Sequence, residues 1–350
     1  MGTGKDFTSD NAAGAAPAVI EAIAHANTGT ALAYGDDPYT AKLQLKLAEI
    51  FEHDVTVLPM FTGTAANALA LACLAPPFGA VFCHSGAHIF TSECGAPEFY
   101  TGGAKLIPID GDEGRIDTWA LEKALADLGR GVMHHFQPAA LSLTHATESG
   151  TLYDPAQITE LSAIAHREGL KVHMDGARLS NALAAQGVSP AEATWKSGVD
   201  VLSFGLTKNG GIAAEAVVFF DEALAAEARF RQKRAGQVAS KMRFISVQLL
   251  ALLEDGLWLA LAAHANSMAL RLAMAARAAG VEVALPAEIN EIFLKLDRTV
   301  ADRLRTDGFL FHPWDAEPAQ GLGTYRFVAS FATELADIDA LIAELRRRQE

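Results

Sequence analysis

Residues 170–187, LKVHMDGARLSNALAAQG, and 199–211, VDVLSFGLTKNGG, decide the fold. The first stretch is a short apolar run ending in Asp175, a glycine turn, then residues with helical spacing. The second is another apolar run that delivers one cation, Lys208, among apolar, hydroxylic and glycine residues. Strand, helix, strand with this crossover length is a βαβ unit. Such a unit sets Asp175 and Lys208 at the carboxyl ends of neighbouring parallel strands, where open α/β sheets bind ligands. A structural lysine snorkels to the surface, so an amine in this setting is at an edge or takes part in chemistry.

The same rhythm runs outward in both directions. VTVLPMF (55–61) and AVFC (80–83) are further β-branched or apolar runs separated by Ala- and Leu-rich helical segments, which predicts a mostly parallel sheet with helices on both faces. From Asp221 the pattern turns helical through 222–244 and again through 245–280. VEVALP (281–286), EIFLKL (291–296) and YRFVASF (325–331) then read as strands, and IDALIAELRRRQE (338–350) as a closing helix. The division this implies is an N-terminal arm at 1–15, a large domain at 16–244 and a smaller C-terminal α+β domain at 245–350. A chain of 350 residues is long enough for two cores.

Half the residues are hydrophobic and a fifth charged, which is globular composition. A net charge of −14 repels phosphate backbones and anionic lipid, so neither nucleic acid nor a membrane is an expected partner. The N-terminal MGTGKDFTSD has no hydrophobic signal core. Three cysteines, Cys73, Cys83 and Cys94, lack zinc-type spacing and fit reduced thiols in a cytoplasm.

An acid and an amine at one ligand match the needs of pyridoxal phosphate. The lysine forms a Schiff base with the aldehyde, and the aspartate keeps the ring nitrogen protonated so that the ring accepts electrons. In FTGTAANALALACLA (61–75), Thr62-Gly63-Thr64 opens a helix whose first N–H groups suit a phosphate. Taken singly, the pair also reads as polar residues closing two strands, and Thr62 as a plain N-cap. The fingerprints GxGxxG and GxxxxGK[ST] are absent from the sequence.

HMDGARLSNA (173–182) with LSFGLTKNGG (202–211) resembles the threonine aldolase family, pyridoxal-phosphate enzymes of the aspartate aminotransferase fold type. FTSDN (7–11), YGDDP (34–38), TGTAAN (62–67), GAHIFTSECGAPEF (86–99) and TYRFVASF (324–331) occur in the family's order, so the likeness spans nearly the whole chain. It looks most like the low-specificity L-threonine aldolase or phenylserine aldolase branch. The resemblance implies a large domain with a mostly parallel seven-stranded sheet and a smaller C-terminal domain. Implied too is retro-aldol cleavage of L-threonine, L-allo-threonine or phenylserine to glycine and an aldehyde; the alternative is a β-eliminating lyase or aminotransferase of the same fold.

Carried over by position, the resemblance makes Lys208 the cofactor lysine, Asp175 the partner of the ring nitrogen, and Gly63 with Thr64 part of the phosphate cup. His88 matches the residue stacked on the ring and a candidate for the hydroxyl proton. Arg178 matches the arginine near the cofactor hydroxyl and the substrate carboxylate, and Ser9 and Arg326 match the other carboxylate contacts. Tyr34 matches a residue lent to a neighbouring subunit's substrate site and Arg243 a contact from that neighbour to the cofactor phosphate, with Lys233 and Arg234 as weaker parallels for Arg243, so the resemblance implies a homo-oligomer, dimer at minimum and tetramer by family habit. Where many members carry a Thr-His-Asn-like turn, this chain has Thr147-Glu148-Ser149-Gly150. A second histidine is therefore in doubt, with Glu148 and His145 as substitutes. A metal-dependent aldolase built on His134, His135 and His145 would be a different reading, although these residues form no familiar ligand pattern.

Overall fold

The computed structural model describes residues 5–347. Residues 1–4 of the expected arm and 348–350 of the expected last helix therefore lie outside the described residues.

Seven strands form the large sheet: β1 (Thr56–Met60), β2 (Gly79–His84), β3 (Lys105–Ile109), β4 (Gln137–Thr144), β5 (Lys171–Gly176), β6 (Val201–Gly205) and β7 (Glu215–Phe219). Their order is β1-β7-β6-β5-β4-β2-β3. The run from β6 to β3 is parallel, and β7 alone is antiparallel to both its neighbours. Mostly parallel pairing is what the βαβ rhythm predicts, and both faces are covered. All of β6, and β5 beyond Lys171, is buried, which is why these strands read as near-continuous apolar runs.

Because β1 is parallel to β6, the carboxyl ends of β1, β2, β4, β5 and β6 all open on one edge. The amino end of the reversed β7 reaches the same edge. In register, Thr144 lies opposite Asp175, and Asp175 opposite Ser203.

A second, antiparallel sheet has the order β8-β10-β9, with β8 at Glu291–Asp297, β9 at His312–Pro313 and β10 at Leu322–Val328. It carries its own core, centred on Leu272, Ile292, Phe309, Tyr325 and Leu341. Phe7 is buried in that core, and its backbone exchanges hydrogen bonds with Leu310 and Val328. VEVALP does not become a strand. It runs beside β8, with Val283 bridging Leu294 and Ala284 N donating to Phe293 O, and Pro286 offers no N–H to carry a ladder further.

The helical run Arg243–Ala278 has the length and apolarity of a membrane span. Its apolar residues are nevertheless core residues: Leu249, Leu252, Ala262, Ala269 and Leu272 are fully buried. The run is broken at Glu254–Gly256, where Asp255 takes φ 49°. The helix Arg243–Leu253 packs on the helices Pro17–Ala26 and Pro38–Phe51.

Phe204 of β6 anchors the main core. It is fully buried and meets Phe51 edge-on at 6.0 Å and Trp258 at 5.5 Å. Phe204→Ala should lower stability by about 3–5 kcal/mol. Equilibrium denaturation of the apoprotein measures this, and a loss below about 1 kcal/mol would contradict the packing described.

Candidate active site

A cavity of about 360 Å³ lies over the edge where the parallel strands end. Lys208 enters it from the turn Thr207–Asn209 that follows β6. Gly205, Gly210 and Gly211 give this segment its path: Gly210 has φ +103°, and a Cβ on Gly211 would meet that of Ala214 at 2.5 Å. Among the described residues the Lys208 amine has no hydrogen-bond or ion-pair partner, so it is free to react.

Asp175 ends β5 and is almost fully buried. Both of its oxygens are fixed: Oδ1 accepts from Ala177 N at 2.9 Å, and Oδ2 from Asn67 Nδ2 at 2.8 Å. The Asn67 amide also donates to Glu93 Oε1 at 2.9 Å, and the same oxygen pairs with His88 Nδ1 at 2.8 Å. Glu93 therefore fixes the tautomer and orientation of His88, and this bond pushes the histidine pKa up against the opposing effect of burial. Asn67 and Glu93 lie inside motifs that the sequence offers, TGTAAN and FTSEC, yet nothing in their spacing reveals that they meet.

Thr62 caps the helix Gly63–Leu74: its hydroxyl accepts from Ala65 N and its carbonyl from Ala66 N. The N–H groups of Gly63 and Thr64 have no partner among the described residues. Free N–H groups at a helix start, on the cavity wall, fit a phosphate.

Two glutamates line this cavity, Glu215 buried and Glu148 partly buried. Glu215, at the start of β7, places Oε2 3.8 Å from where a Cβ on Gly63 would stand and 2.7 Å from one on Gly205. Burial raises its pKa to about 7, although a Thr207 hydrogen bond and the charge of Lys208 oppose the shift. Glu148 follows β4; its Oε1 accepts from His88 N at 2.6 Å and from Thr144 Oγ1 at 3.1 Å. Burial, reinforced by the charge of Asp175, raises it to about 7 as well.

Arg178 also lines the cavity. Its Nε donates to Asp10 Oδ2 at 2.8 Å, and its Nη2 lies 3.4 Å from Glu291 Oε1. Arg326 reaches the same Glu291 oxygen at 3.4 Å. The two arginines expected at a carboxylate are thus brought to one place, around a buried acid that sequence reasoning does not single out. Burial alone would raise Asp10, but Arg178 and Lys208 hold its carboxyl below the usual range. Ser9 stands beside them; its hydroxyl caps the turn Asp10–Ala12 by accepting from Asn11 N.

Comparison with known proteins decides the family. The beta-eliminating lyase pattern matches residues 6–299. The chain is 42% identical to a low specificity L-threonine aldolase of Pseudomonas sp., over 98% of this chain and 97% of that protein. The corresponding Pseudomonas aeruginosa protein is 43% identical with the same coverage. The solved threonine aldolase of Leishmania major superposes with a TM-score of 0.93, at 28% identity over 99% of both chains. The chain belongs to the threonine aldolases of the beta-eliminating lyase family.

Within that family membership, the remaining expected residues stand away from the cavity of their own chain. Tyr34 is half exposed at φ 61°, with Lys233 Nζ 4.5 Å from its ring centre. Arg243 donates to Ala26 O and stacks on Phe244. His145 is fully buried against Gln186, and burial lowers its pKa to about 4. His134 and His135 occupy an exposed loop instead. No cluster of three His, Cys, Asp or Glu side chains suited to a metal occurs among the described residues.

The raised Glu215 pKa has a thermodynamic sign. The folded chain holds a proton that the unfolded chain, at the ordinary glutamate value of 4.5, releases. The stability this provides is full below pH 4.5 and is lost as pH rises through about 7. Buried His145 and His173, lowered to about 4, contribute a slope of the opposite sign, so the variant difference is the clean readout. The stability of Glu215→Gln relative to the wild-type apoprotein should rise between about pH 5 and 8, by up to about 3 kcal/mol. A difference that is flat with pH in thermal unfolding would count against the buried neutral carboxyl.

Proposed function

We propose that this protein is a pyridoxal-phosphate-dependent aldolase that reversibly cleaves L-threonine, L-allo-threonine and related L-β-hydroxy-α-amino acids such as phenylserine. The products are glycine and an aldehyde. The observation that carries the reading is the unpaired Lys208 amine sharing one cavity with the doubly anchored Asp175. The family of the chain supplies the reaction type.

The residues present fit the cofactor. Lys208 offers the amine, Asp175 a fixed negative charge for the ring nitrogen, and Gly63 and Thr64 their free N–H groups for the phosphate. Bound pyridoxal phosphate supplies an electron sink for the broken Cα–Cβ bond. The chain's own contribution is orientation. Asp175 cannot swing away, because Asn67 and Ala177 hold both oxygens. His88 is held by Glu93 with Nε2 left free, in the position that the family likeness gives to the ring-stacking residue. Arg178, which lines the cavity, would take the substrate carboxylate with Ser9 and Arg326 nearby, fixing which substituent stands perpendicular to the ring.

The assembly we propose is a cytoplasmic homo-oligomer, a dimer at minimum and a tetramer by family likeness. Tyr34 and Arg243 then complete a neighbour's site, which agrees with their positions outside their own cavity.

Three outcomes test the reading. Wild-type protein loaded with pyridoxal phosphate should be coloured, and borohydride should fix the cofactor on the peptide carrying Lys208. Lys208→Ala should lose both the visible band and the cleavage. Threonine should yield glycine plus acetaldehyde; 2-oxobutyrate plus ammonia would instead establish an eliminating lyase.

A further inference from the structure

We propose that Glu291 is a positioning residue that sets how tightly the site holds an amino acid's α-carboxylate: it stands between Arg178 and Arg326 as their shared counter-ion. The inference rests on the part of the reading above that makes these arginines the carboxylate contacts, and it names what tunes them.

The strand pairing brings the groups together. Arg326 lies opposite Phe293 and Val328 opposite Glu291, so Glu291 and Arg326 are diagonal neighbours on one face of the small sheet. Arg178 approaches from the large sheet, just after β5. One oxygen, Glu291 Oε1, meets Arg326 Nη1 and Arg178 Nη2, each at 3.4 Å. The stem of Glu291 is walled in: a Cβ on Gly150, which has φ +72°, would stand 3.3 Å from that of Glu291. Its neighbour Asn290 steadies the other acid, donating to Asp10 Oδ2 at 3.1 Å.

The Glu291 side chain is wholly inaccessible, so it touches no ligand and acts only through the arginines. Both contacts are longer than the roughly 2.7–2.9 Å of a tight charge-assisted hydrogen bond. The acid therefore orients the guanidiniums without using them up. Asp10 and Glu291 take Nε and Nη2 of Arg178, which leaves Nη1, and Arg326 gives Glu291 only its Nη1.

Charge separates this role from that of a spacer. Burial raises the Glu291 pKa, and Arg178, Arg326 and Lys208 oppose the shift. Two guanidiniums facing one oxygen favour the ionised carboxyl, and guanidiniums keep their charge at every working pH. A ligand carboxylate then shares two cations with an internal one, and its attraction to them is offset by repulsion from Glu291. Glycine, the product that keeps the carboxylate, is thereby held less firmly than an unopposed pair of arginines would hold it.

Holoenzyme carrying Glu291→Gln tests the assignment, with the wild type in parallel. Glycine and glycinamide are titrated and the visible band is followed. Gln keeps the length and an oxygen for the arginines but removes the charge. The Kd for glycine should fall roughly tenfold, while that for glycinamide, which has no carboxylate, should stay within about twofold. Lost packing would weaken both ligands alike, and that result overturns the proposal. Equal glycine affinity in variant and wild type also overturns it, and is what a protonated Glu291 would give. If Glu291→Gln does not fold, Glu291→Asp decides. It keeps the charge but withdraws it by one methylene, so glycine should bind about two- to threefold tighter with glycinamide unchanged; glycine binding that is equal or weaker overturns the proposal. A wild type that binds glycine no better than glycinamide has no carboxylate site here, and the inference fails whatever cleavage shows. A wild type that separates the two ligands but releases no glycine from threonine defeats the aldolase reading, while the variant comparison still decides the role of Glu291.

Discussion

A carboxylate taken out of water must be paired or fully hydrogen-bonded, and the arrangement of this site follows from how that demand is met at Asp175. The residue ends a buried strand, so its partners must come from elements that end at the same edge. Asn67, on the helix after β1, supplies one, and the backbone at Ala177 the other. Because the Asn67 amide also binds Glu93, which binds His88, one buried charge fixes groups from three separate segments. The parallel sheet makes this possible by delivering the ends of five strands to one line. Lys208 then stands in the same cavity as Asp175 without being consumed by an ion pair.

The two cores are joined by a second set of buried charges. Asp10 near the N-terminus, Arg178 after β5, and Glu291 and Arg326 on the small sheet form a continuous chain of contacts. Asn290 adds a donor to Asp10. Each charge is compensated by an opposite one, which is the condition for burying any of them. The substrate carboxylate enters a region already balanced between two arginines and two acids, so its hold depends on how the small sheet sits over the large one.

What was legible in the sequence follows the range of the interaction. The βαβ spacing places Asp175 and Lys208 at strand ends because the crossover fixes both direction and neighbour. The four strands quoted from the first 204 residues all form. VEVALP has the apolar pattern of a strand but pairs only at Val283, since alternation reports one buried face and not the presence of a ladder partner. Asn67, Glu93, Asp10 and Glu291 were hidden for another reason: apart from the local His88–Glu93 pair, the contacts that place them span 26 to 280 residues, and no local periodicity encodes such a meeting. Glu215 did leave a local signal, as the one charged residue in IAAEAVVFF. A lone acid inside a strand-like run marks either a buried functional group or an edge.

The close approach of Glu215 to Gly205 has a consequence for how this sequence can change. The space a methyl group would need at position 205 is held on one side by the Glu215 oxygen at 2.7 Å and on the other by the Ala177 backbone at 3.1 Å. Shortening residue 215 vacates only the first of these, and the backbone cannot step aside as a side chain can. A side chain at position 205 is thus opposed by main-chain geometry whatever residue stands at 215. Drift at either site is one-directional: the acid can be lost while the glycine stays, but the glycine cannot be replaced first.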